Sequence, residues 1–196
     1  FIKLFSTLYN VRDAHGKMSR FIPEPFQQDF LKDSICCNKI YKNRIVLKGR
    51  GIGLTALIAG EILLYAQLHP KVKIPVASIS AKTANVLLGW CIDLSDHSNE
   101  LEIAEGICKI ERDTTINSVC ELKNGSTIIP ISGGSPESIR SIRAPMLVFD
   151  EYAFHESQKL ILTAGERCLS EGGQITLIST PRTSDVINDE FCRIWV

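Results

Sequence analysis

Residues 48–55, with the sequence KGRGIGLT, combine glycines, basic side chains and a hydroxyl in the order that a phosphate-binding loop requires. They follow a predicted strand at 44–48 and begin a predicted helix at Leu54. Glycines let backbone N–H groups crowd around phosphate oxygens, and Thr55 can hold Mg²⁺ through its hydroxyl. A glycine-rich turn without a ligand is the alternative. The phosphate interpretation assigns nucleotide binding to Gly49, Arg50, Gly51, Ile52, Gly53, Leu54 and Thr55.

The cation of this loop stands at an unusual position. The standard motif has a Lys directly before the Ser or Thr, but this chain has Leu54 there. Lys48 occupies the first position of the loop, and its long side chain can fold back over the phosphates. Arg50 could assist it. We therefore predict Lys48 as the catalytic cation, while Leu54 is the best argument for a non-catalytic nucleotide-binding module.

Two adjacent acids follow the apolar residues 146–149. In phosphoryl-transfer sites an acid at a strand end holds Mg²⁺, which fits Asp150, and a neighbouring base activates water, which fits Glu151. The alternative is that Asp150 caps the following helix and Glu151 is solvated. Because adjacent carboxylates at the end of a buried strand are costly without a cation, the chemical interpretation is favoured.

The predicted strand at 174–179 also ends in polar residues, Ser179 and Thr180, followed by Pro181. Polar side chains at the end of this strand would lie between the γ-phosphate of a bound nucleotide and the part of the protein that moves upon hydrolysis. Considered alone, however, the segment is more typical of an ordinary turn at the end of a strand.

Predicted strands alternate with predicted helices along the chain. This alternation indicates βαβ units and an α/β fold with a mostly parallel sheet flanked by helices. With the phosphate-loop pattern at 48–55 added, the expected fold is of the P-loop (RecA/ASCE-like) kind. Residues 107–131 instead alternate like paired strands around a turn at Asn124–Gly125, which predicts an antiparallel hairpin at the sheet edge, away from the nucleotide. The strands are expected at 44–48, 74–80, 145–149 and 174–179, and the helices at 26–36, 54–68, 81–96 and 156–170.

Length and composition fit one domain, 21–196, preceded by an irregular arm at 1–20. The 196 residues are 44% hydrophobic and 22% charged, as in ordinary globular proteins. The longest apolar stretch, 57–68, is too short to span a membrane, and no signal peptide is visible. The net charge of zero neither supports nor excludes DNA as a partner. The basic cluster of Lys39, Lys42, Arg44, Lys48 and Arg50 is expected to form a solvated loop running into the phosphate site.

The seven cysteines are odd in number and lack zinc-ligand spacing. They are expected to be small core residues in a reducing, intracellular compartment.

The order of these segments resembles the large terminase subunits of tailed viruses, over about residues 20–182. Residues 20–31, RFIPEPFQQDFL, resemble the adenine-reading segment of that family, with Gln27 as the reader and Gln28 as a competitor. The loop at 48–55 resembles the deviant phosphate loop of the lambda-like branch, in which the essential Lys also comes first. Residues 178–181 resemble the coupling motif, which assigns coupling to Ser179 and Thr180.

Residues 138–151 resemble the stretch in which an arginine finger precedes the acidic pair. Arg140 is the positional match and Arg143 the second candidate, and the sequence leaves open whether the finger acts within a subunit or on its neighbour. Members of the family usually have Gly directly after this Arg, whereas this chain has Ser141.

The resemblance implies an ATPase that uses ATP and Mg²⁺ to drive double-stranded DNA into a viral procapsid. The partners would be DNA, a portal protein, a small terminase subunit and further copies in a ring, in the host cytoplasm and without a membrane. The nuclease domain expected after the ATPase is not in this chain, so no nuclease activity is expected from it. The alternatives are a helicase-like ATPase, which needs a second motor domain, and the non-catalytic nucleotide-binding module.

Overall fold

The computed structural model describes residues 2–13, 15–37, 43–98, 110–111, 119–132, 136–182 and 190–195. The helices are α1 (Ile2–Leu8), α2 (Pro25–Lys32), α3 (Leu54–Leu68), α4 (Ala81–Asp96), α5 (Pro136–Arg140), α6 (Gln158–Cys168) and α7 (Glu190–Trp195), with short 3₁₀ turns at Ile35–Cys37 and Tyr152–Phe154. The strands are β1 (Asn10–Arg12), β2 (Met18–Arg20), β3 (Asn43–Leu47), β4 (Lys73–Ser78), β5 (Ile110–Glu111), β6 (Cys120–Leu122), β7 (Thr127–Ser132), β8 (Ala144–Phe149) and β9 (Leu169–Ser179).

Within the described ranges, seven strands form one sheet in the order β3-β9-β8-β4-β7-β6-β5. The pairs from β3 through β9, β8 and β4 to β7 are all parallel, while β6 runs antiparallel to both of its neighbours. The predicted α/β fold with a mostly parallel sheet is therefore confirmed. Helices connect the parallel strands because such connections must cross over a face of the sheet.

The predicted hairpin is present as β6 and β7, in the half of the sheet that ends at β5, but neither of its strands is the edge strand. Its turn places Gly125 at φ +79°, whereas Asn124 keeps a negative φ, so only the glycine uses the left-handed region. Its second strand, β7, continues the parallel sheet beside β4. Residues 107–109 and 112–118, also expected in this region, lie outside the described part.

The helices predicted at 54–68 and 81–96 have the bounds of α3 and α4. The helix predicted at 26–36 ends earlier, at Lys32, where a 3₁₀ turn takes over after two residues. The strand expected at 174–179 begins earlier, at Leu169, because this segment also pairs with the start of β8 across an irregularity between Ala144 and Met146. None of the described helices is long and apolar enough to span a membrane.

A buried ion pair joins β3 to α3. Arg44 Nη2 lies 2.8 Å from Glu61 Oε1 and also donates to Thr176 Oγ1 of β9 at 2.8 Å. Breaking a buried pair of this kind leaves an uncompensated charge, which typically costs about 3–5 kcal/mol. The pair therefore fixes the strand before the phosphate loop to the helix after it.

The expectation of a solvated basic loop is wrong for Arg44 and Lys48, which are 7% and 9% exposed. Both are buried because each meets carboxylates, Glu61 in one case and the acidic pair after β8 in the other. Arg50 is exposed as expected, and Lys39 and Lys42 lie outside the described residues. Of the cysteines whose side chains are described, Cys91, Cys120 and Cys168 are buried and form no disulfide, as expected for core residues.

The irregular arm expected at 1–20 is instead helix α1 followed by the antiparallel pair β1–β2. Phe5 and Tyr9 are fully buried. The Phe5 ring packs edge-on against the ring of Phe21, with 5.2 Å between the ring centroids. The sequence did not predict this helix because its seven residues are too few to show a clear apolar period. The boundary at residue 20 stays a prediction, although these contacts favour one packed unit.

Gly60 of α3 is where α1 docks. A Cβ at this position would lie 2.6 Å from Phe5 ring atoms. We expect Gly60→Ala to destabilise the protein by about 1–3 kcal/mol, the usual cost of overpacking.

Chemical denaturation measures this cost, and Gly89→Ala is the matched control. Gly89 lies in α4 with no atom within 4 Å of its virtual Cβ. That replacement should be neutral or stabilising by up to about 1 kcal/mol, since Ala favours helices. Equal effects of the two replacements would contradict the proposed docking of Phe5.

Candidate nucleotide site

A cavity of about 740 Å³ lies over residues 48–56, where β3 ends and α3 begins. Glu151 and Thr180, which follow the ends of β8 and β9, also line it. These strands are parallel neighbours, so their carboxyl ends meet at one edge of the sheet, where ligands of α/β folds bind. The three segments singled out by sequence therefore come together.

The loop has the backbone shape that its glycines allow. Gly51 and Gly53 adopt φ of +77° and +70°, in the left-handed region that other residues avoid. Gly53 caps α3, so the first free N–H groups of the helix point toward the cavity. This arrangement suits a phosphate, because the helix N-terminus also carries partial positive charge.

Leu54 occupies the position where the standard motif has Lys. Its side chain is 4% exposed and belongs to the main hydrophobic core, although it also touches the cavity. A charged ammonium at this place would have to leave the core to remain solvated. The absence of Lys at 54 thus has a packing reason.

Lys48 directs its ammonium at both acids that follow β8. Its Nζ lies 2.8 Å from Asp150 Oδ1 and 3.2 Å from Glu151 Oε1. Burial alone would lower the pKa of Lys48, but the two carboxylates outweigh that effect, so the pKa is raised. Lys48 therefore stays charged at neutral pH and can exchange its carboxylate contacts for phosphate oxygens.

Glu151 has an unusual backbone, with φ 52° and ψ 42°. A non-glycine residue in this region stores roughly 1–3 kcal/mol of strain, which often marks a functional position. The conformation turns the chain sharply after β8, and Glu151 Oε2 accepts a hydrogen bond from Thr180 Oγ1 at 3.1 Å. Glu151 thus contacts both Lys48 and the residue after β9.

The turn that carries the acids is held from three sides. The Asp150 N–H donates to Ala77 O of β4 at 2.8 Å, and His155 Nε2 lies 3.2 Å from Asp150 O. Buried Ser179 Oγ accepts from the Ala153 N–H at 3.1 Å. Ser179 therefore supports the turn after β8, while Thr180 contacts Glu151 itself.

The donor set fits a magnesium ion better than a metal held by protein alone. Among the described residues, no group of three or more His, Cys, Asp or Glu could hold a metal ion. Mg²⁺ usually takes one or two carboxylates and completes its shell with phosphates and water. Asp150 and the hydroxyl of Thr55 are the residues that suit this role.

Gln27 lies beneath the loop, with both ends of its amide in use. Its Nε2 donates to Ile52 O at 2.9 Å, and its Oε1 accepts from the Glu24 N–H at 2.9 Å. Gln27 does not line the cavity. Adenine reading by Gln27 stays a prediction, since each end of the amide keeps one further hydrogen-bonding position beside these partners. The Gln28 side chain instead donates a hydrogen bond from Nε2 to Pro23 O.

Because Gln27 supports the loop from below, we expect Gln27→Ala to weaken binding of ATP and GTP by similar factors. Loss of one hydrogen bond is worth about 0.5–1.5 kcal/mol, or roughly 2-fold to 10-fold in affinity. Titration calorimetry with both nucleotides measures this, with Gln28→Ala as the matched control. A selective loss of ATP binding would instead support adenine reading by Gln27.

Arg140 and Arg143 are not brought to this cavity. Arg140 ends α5 before β8 begins, whereas Asp150 follows the last residue of β8. A strand of six residues spans about 20 Å, so the two ends are far apart. Both arginines line a separate surface depression of about 410 Å³ together with Arg167.

Sequence reasoning missed the residues at the other end of the cavity, which are Val11, Arg12, Phe21, Val86 and Trp90. One signal was available in α4. Its core face carries Ala84, Leu87, Cys91 and Leu94, so Val86 and Trp90, four residues apart, form an apolar pair off that face.

Comparison with known proteins assigns most of the chain to a family. The family described as terminase large subunit, T4likevirus-type, N-terminal, matches residues 45–187. No curated protein sequence matches the chain.

Several solved structures share the fold at low identity. The HK97 bacteriophage large terminase has a TM-score of 0.74 and 16% identity over 100% of this chain and 40% of that protein. The Thermus phage P74-26 large terminase ATPase domain has a TM-score of 0.57 and 15% identity over 82% of this chain and 65% of that one.

A large terminase from a thermophilic bacteriophage, solved in complex with ADP, has a TM-score of 0.58 and 13% identity, covering 80% of this chain and 38% of that protein. This chain thus spans well under half the length of the HK97 protein and of the ADP-bound terminase. Its family match covers most of the described site, from β3 through β9. The chain belongs to the N-terminal family of terminase large subunits of the T4-like type.

Proposed function

We propose that this chain hydrolyses ATP to drive double-stranded DNA into a viral procapsid. The observation that carries the proposal is the contact of Lys48 with both Asp150 and Glu151, beside a loop built to receive phosphates. The terminase family match supports the packaging role. Leu54 packs in the core, and Lys48 is the cation proposed in place of a Lys at position 54, which supports the motor over a non-catalytic module.

In this proposal the loop and Lys48 bind the triphosphate. N–H groups of Gly49, Gly51 and Gly53 surround its oxygens, and the Lys48 ammonium moves from the carboxylates to the β- and γ-phosphates. Mg²⁺, held by Thr55 and Asp150, would supply charge neutralisation on those phosphates. Arg50, exposed at the cavity, would add a second cation.

Glu151 accepts the proton of the attacking water in this mechanism. The contact between its Oε2 and Thr180 gives the acid a link to the end of β9. Loss of the γ-phosphate would change the contacts of Glu151 and, through Thr180, the segment that follows β9. This is the proposed coupling role of Ser179 and Thr180.

The arginine finger is proposed to act on the neighbouring subunit of a ring. Arg140 and Arg143 are both exposed, and they lie at the opposite end of β8 from the acids. An arginine at that distance cannot reach its own cavity without a large rearrangement, whereas it can enter the cavity of an adjacent copy. Double-stranded DNA, a portal protein and a small terminase subunit are the other proposed partners, in the host cytoplasm.

We expect Arg140→Ala to lower ATP turnover by the assembled ring about 10³-fold or more, the usual contribution of an arginine finger. ATP binding should be unchanged, and Arg143→Ala tests the second candidate: a loss of this size there and not in Arg140→Ala would transfer the role to Arg143. Phosphate release from the ring measures the loss.

Mixed rings then identify which subunit uses the finger. Subunits carrying Arg140→Ala keep Glu151, and subunits carrying Glu151→Gln keep Arg140. Mixing the two should recover activity if Arg140 acts on its neighbour. No recovery in the mixture would point to action within one subunit.

Phosphate release from ATP is the direct test of the proposed function. The expected result is Mg²⁺-dependent hydrolysis that rises when portal and double-stranded DNA are added. Absence of hydrolysis under all of these conditions, with ATP bound, would favour the non-catalytic module.

A further inference from the structure

Ser78, at the end of β4, has a buried hydroxyl without a partner among the described residues. The side chain is fully buried, and its Oγ makes no hydrogen bond to any of them. Two other buried side-chain polar atoms of the described residues share this property, one on Asn85 of α4 and one on Thr127 at the start of β7. Burying a hydroxyl without a partner costs free energy, so such an atom in a folded protein calls for an explanation.

The position of Ser78 in the sheet distinguishes it from the other two. Strand β4 pairs with β8 in parallel up to Ala77 and Phe149, so Ser78 and Asp150 are the next residues of neighbouring strands. The Asp150 N–H extends this pairing by one hydrogen bond, to Ala77 O at 2.8 Å. Neighbouring strands lie about 4.8 Å apart, which places Ser78 and Asp150 side by side.

Ser78 and Asp150 also belong to the same face of the sheet. Two residues earlier, both strands place a valine in the core that includes α3 and α4, and one residue earlier both contribute to the core on the opposite face. Because side chains alternate along a strand, the next residues return to the α3 face. The contact of Asp150 with Lys48 at 2.8 Å agrees with this, since the phosphate loop begins α3.

Asp150 would lose its cation during the proposed reaction. Among the described side chains, Lys48 is the one that donates a hydrogen bond to the Asp150 carboxylate. In the proposed function the Lys48 ammonium moves to the phosphates, and Asp150 takes part in holding Mg²⁺. A carboxylate that holds a metal ion is usually oriented by a further hydrogen bond, whose loss weakens the metal site. Ser78 is the neighbour whose hydroxyl has no other use in the described structure.

We propose that Ser78 is a positioning residue for the magnesium site: its hydroxyl donates to the Asp150 carboxylate once Lys48 has moved to the triphosphate. This inference rests on the proposed function, because it takes Asp150 as a magnesium ligand. Ser78 does not line the cavity, so it acts through Asp150 and not on the nucleotide. The hydroxyl is therefore without a partner in the structure described here and bonded in the nucleotide-bound state.

The test measures how much Mg²⁺ tightens the binding of a non-hydrolysable ATP analogue. Calorimetric titration of the chain gives the Kd with EDTA and the Kd with saturating Mg²⁺, and the ratio of the two is the Mg²⁺ effect. Ser78→Ala should lower this ratio towards 1, by about 10-fold, the lower end of the range for losing a hydrogen bond to a metal ligand. The Kd measured with EDTA should stay within about 2-fold of the wild-type value, since the phosphate contacts remain.

Ser132→Ala is the matched control. Ser132 is exposed and pairs with Ser78 from β7, one strand further from Asp150, so its loss should leave the Mg²⁺ effect unchanged. An Asp150→Asn background tests the route of the effect. If Ser78 acts through Asp150, Ser78→Ala should lower the ratio no further in that background.

Denaturation of the nucleotide-free chain is the readout for the fold. Ser78→Ala should unfold at the wild-type denaturant concentration or above it, because the replacement removes a buried hydroxyl that has no partner in this state. A side chain that merely supports the fold would give the opposite result, with a lower unfolding midpoint.

The outcomes separate this inference from the proposed function. A Mg²⁺ effect of wild-type size in Ser78→Ala would overturn the inference and leave the motor in place. Lower stability of the nucleotide-free variant, equal weakening of analogue binding with Mg²⁺ and with EDTA, or a further loss in the Asp150→Asn background would overturn it as well. Failure of the wild-type chain to bind the analogue, or to bind it more tightly with Mg²⁺, would overturn the proposed function itself, and the inference with it.

Discussion

Glu151→Gln is expected to stop ATP turnover while ATP still binds. The replacement keeps the shape of the side chain and its ability to accept a hydrogen bond from Thr180, but it removes the base. Loss of a general base typically costs about 10²-fold to 10⁴-fold in rate. Because Glu151 is not needed to hold the phosphates in this mechanism, the Kd for ATP should change by no more than about 3-fold. Single-turnover phosphate release and calorimetry measure the two quantities.

The matched control is Glu156→Gln, the same chemical change at an exposed position shortly after the turn. It should leave both turnover and binding at the wild-type level. If Glu151→Gln instead weakened ATP binding as much as turnover, Glu151 would have a structural or metal-holding role. Such a result would shift the search for the base to another residue at the cavity.

Lys48→Ala should lower the ATP hydrolysis rate by at least about 10²-fold to 10³-fold, the usual cost of removing one electrostatic donor to the transition state. Negative charge develops on the bridging and γ-oxygens, and Mg²⁺ neutralises only part of it. The variant also leaves Asp150 and Glu151 without their cation, so its stability must be measured beside its activity.

Two further variants separate charge from fold. Lys48→Arg keeps the positive charge, so it should restore stability and part of the rate. Arg50→Ala removes an exposed cation from the same cavity and should cost less than Lys48→Ala. Hydrolysis by a folded Lys48→Ala variant at the wild-type rate would contradict the assignment of Lys48 as the catalytic cation. A larger loss of rate in Arg50→Ala than in Lys48→Ala would assign that role to Arg50.

In the proposed motor, Glu151 and Lys48 would also connect hydrolysis to movement. Glu151 contacts both Lys48 and Thr180, so a change at the γ-phosphate would alter contacts at the end of β9. The left-handed backbone of Glu151 stores strain at this point, where a small change in contacts can shift the turn. The proposed motor thus has its base and its coupling residue in direct contact.

The sequence by itself determined most strands of the parallel sheet, the helices α3 and α4, and the chemistry expected at the phosphate loop. Local sequence signals located α3, α4 and the buried strand before Asp150. A glycine-rich turn and His69–Pro70 bracket α3, and a continuous apolar run marks the strand. The requirement for glycine at positive φ is also local, which is why residues 48–55 could be identified as a loop of a special kind. Since parallel strands end at one edge, the sequence further predicted that the loop, the acids and Thr180 would meet.

Only the tertiary structure decided which side chains share a cavity, because that depends on distances between segments far apart in the chain. Leu54 looks like a missing cation in the sequence, but it packs in the core, while the ammonium of Lys48 meets the acidic pair after β8. Gln27 is one polar residue of a short helix until its bonds to Ile52 O and the Glu24 N–H appear. No sequence pattern links Phe21 to Trp90. They line one cavity because the N-terminal segment and α4 both pack on α3.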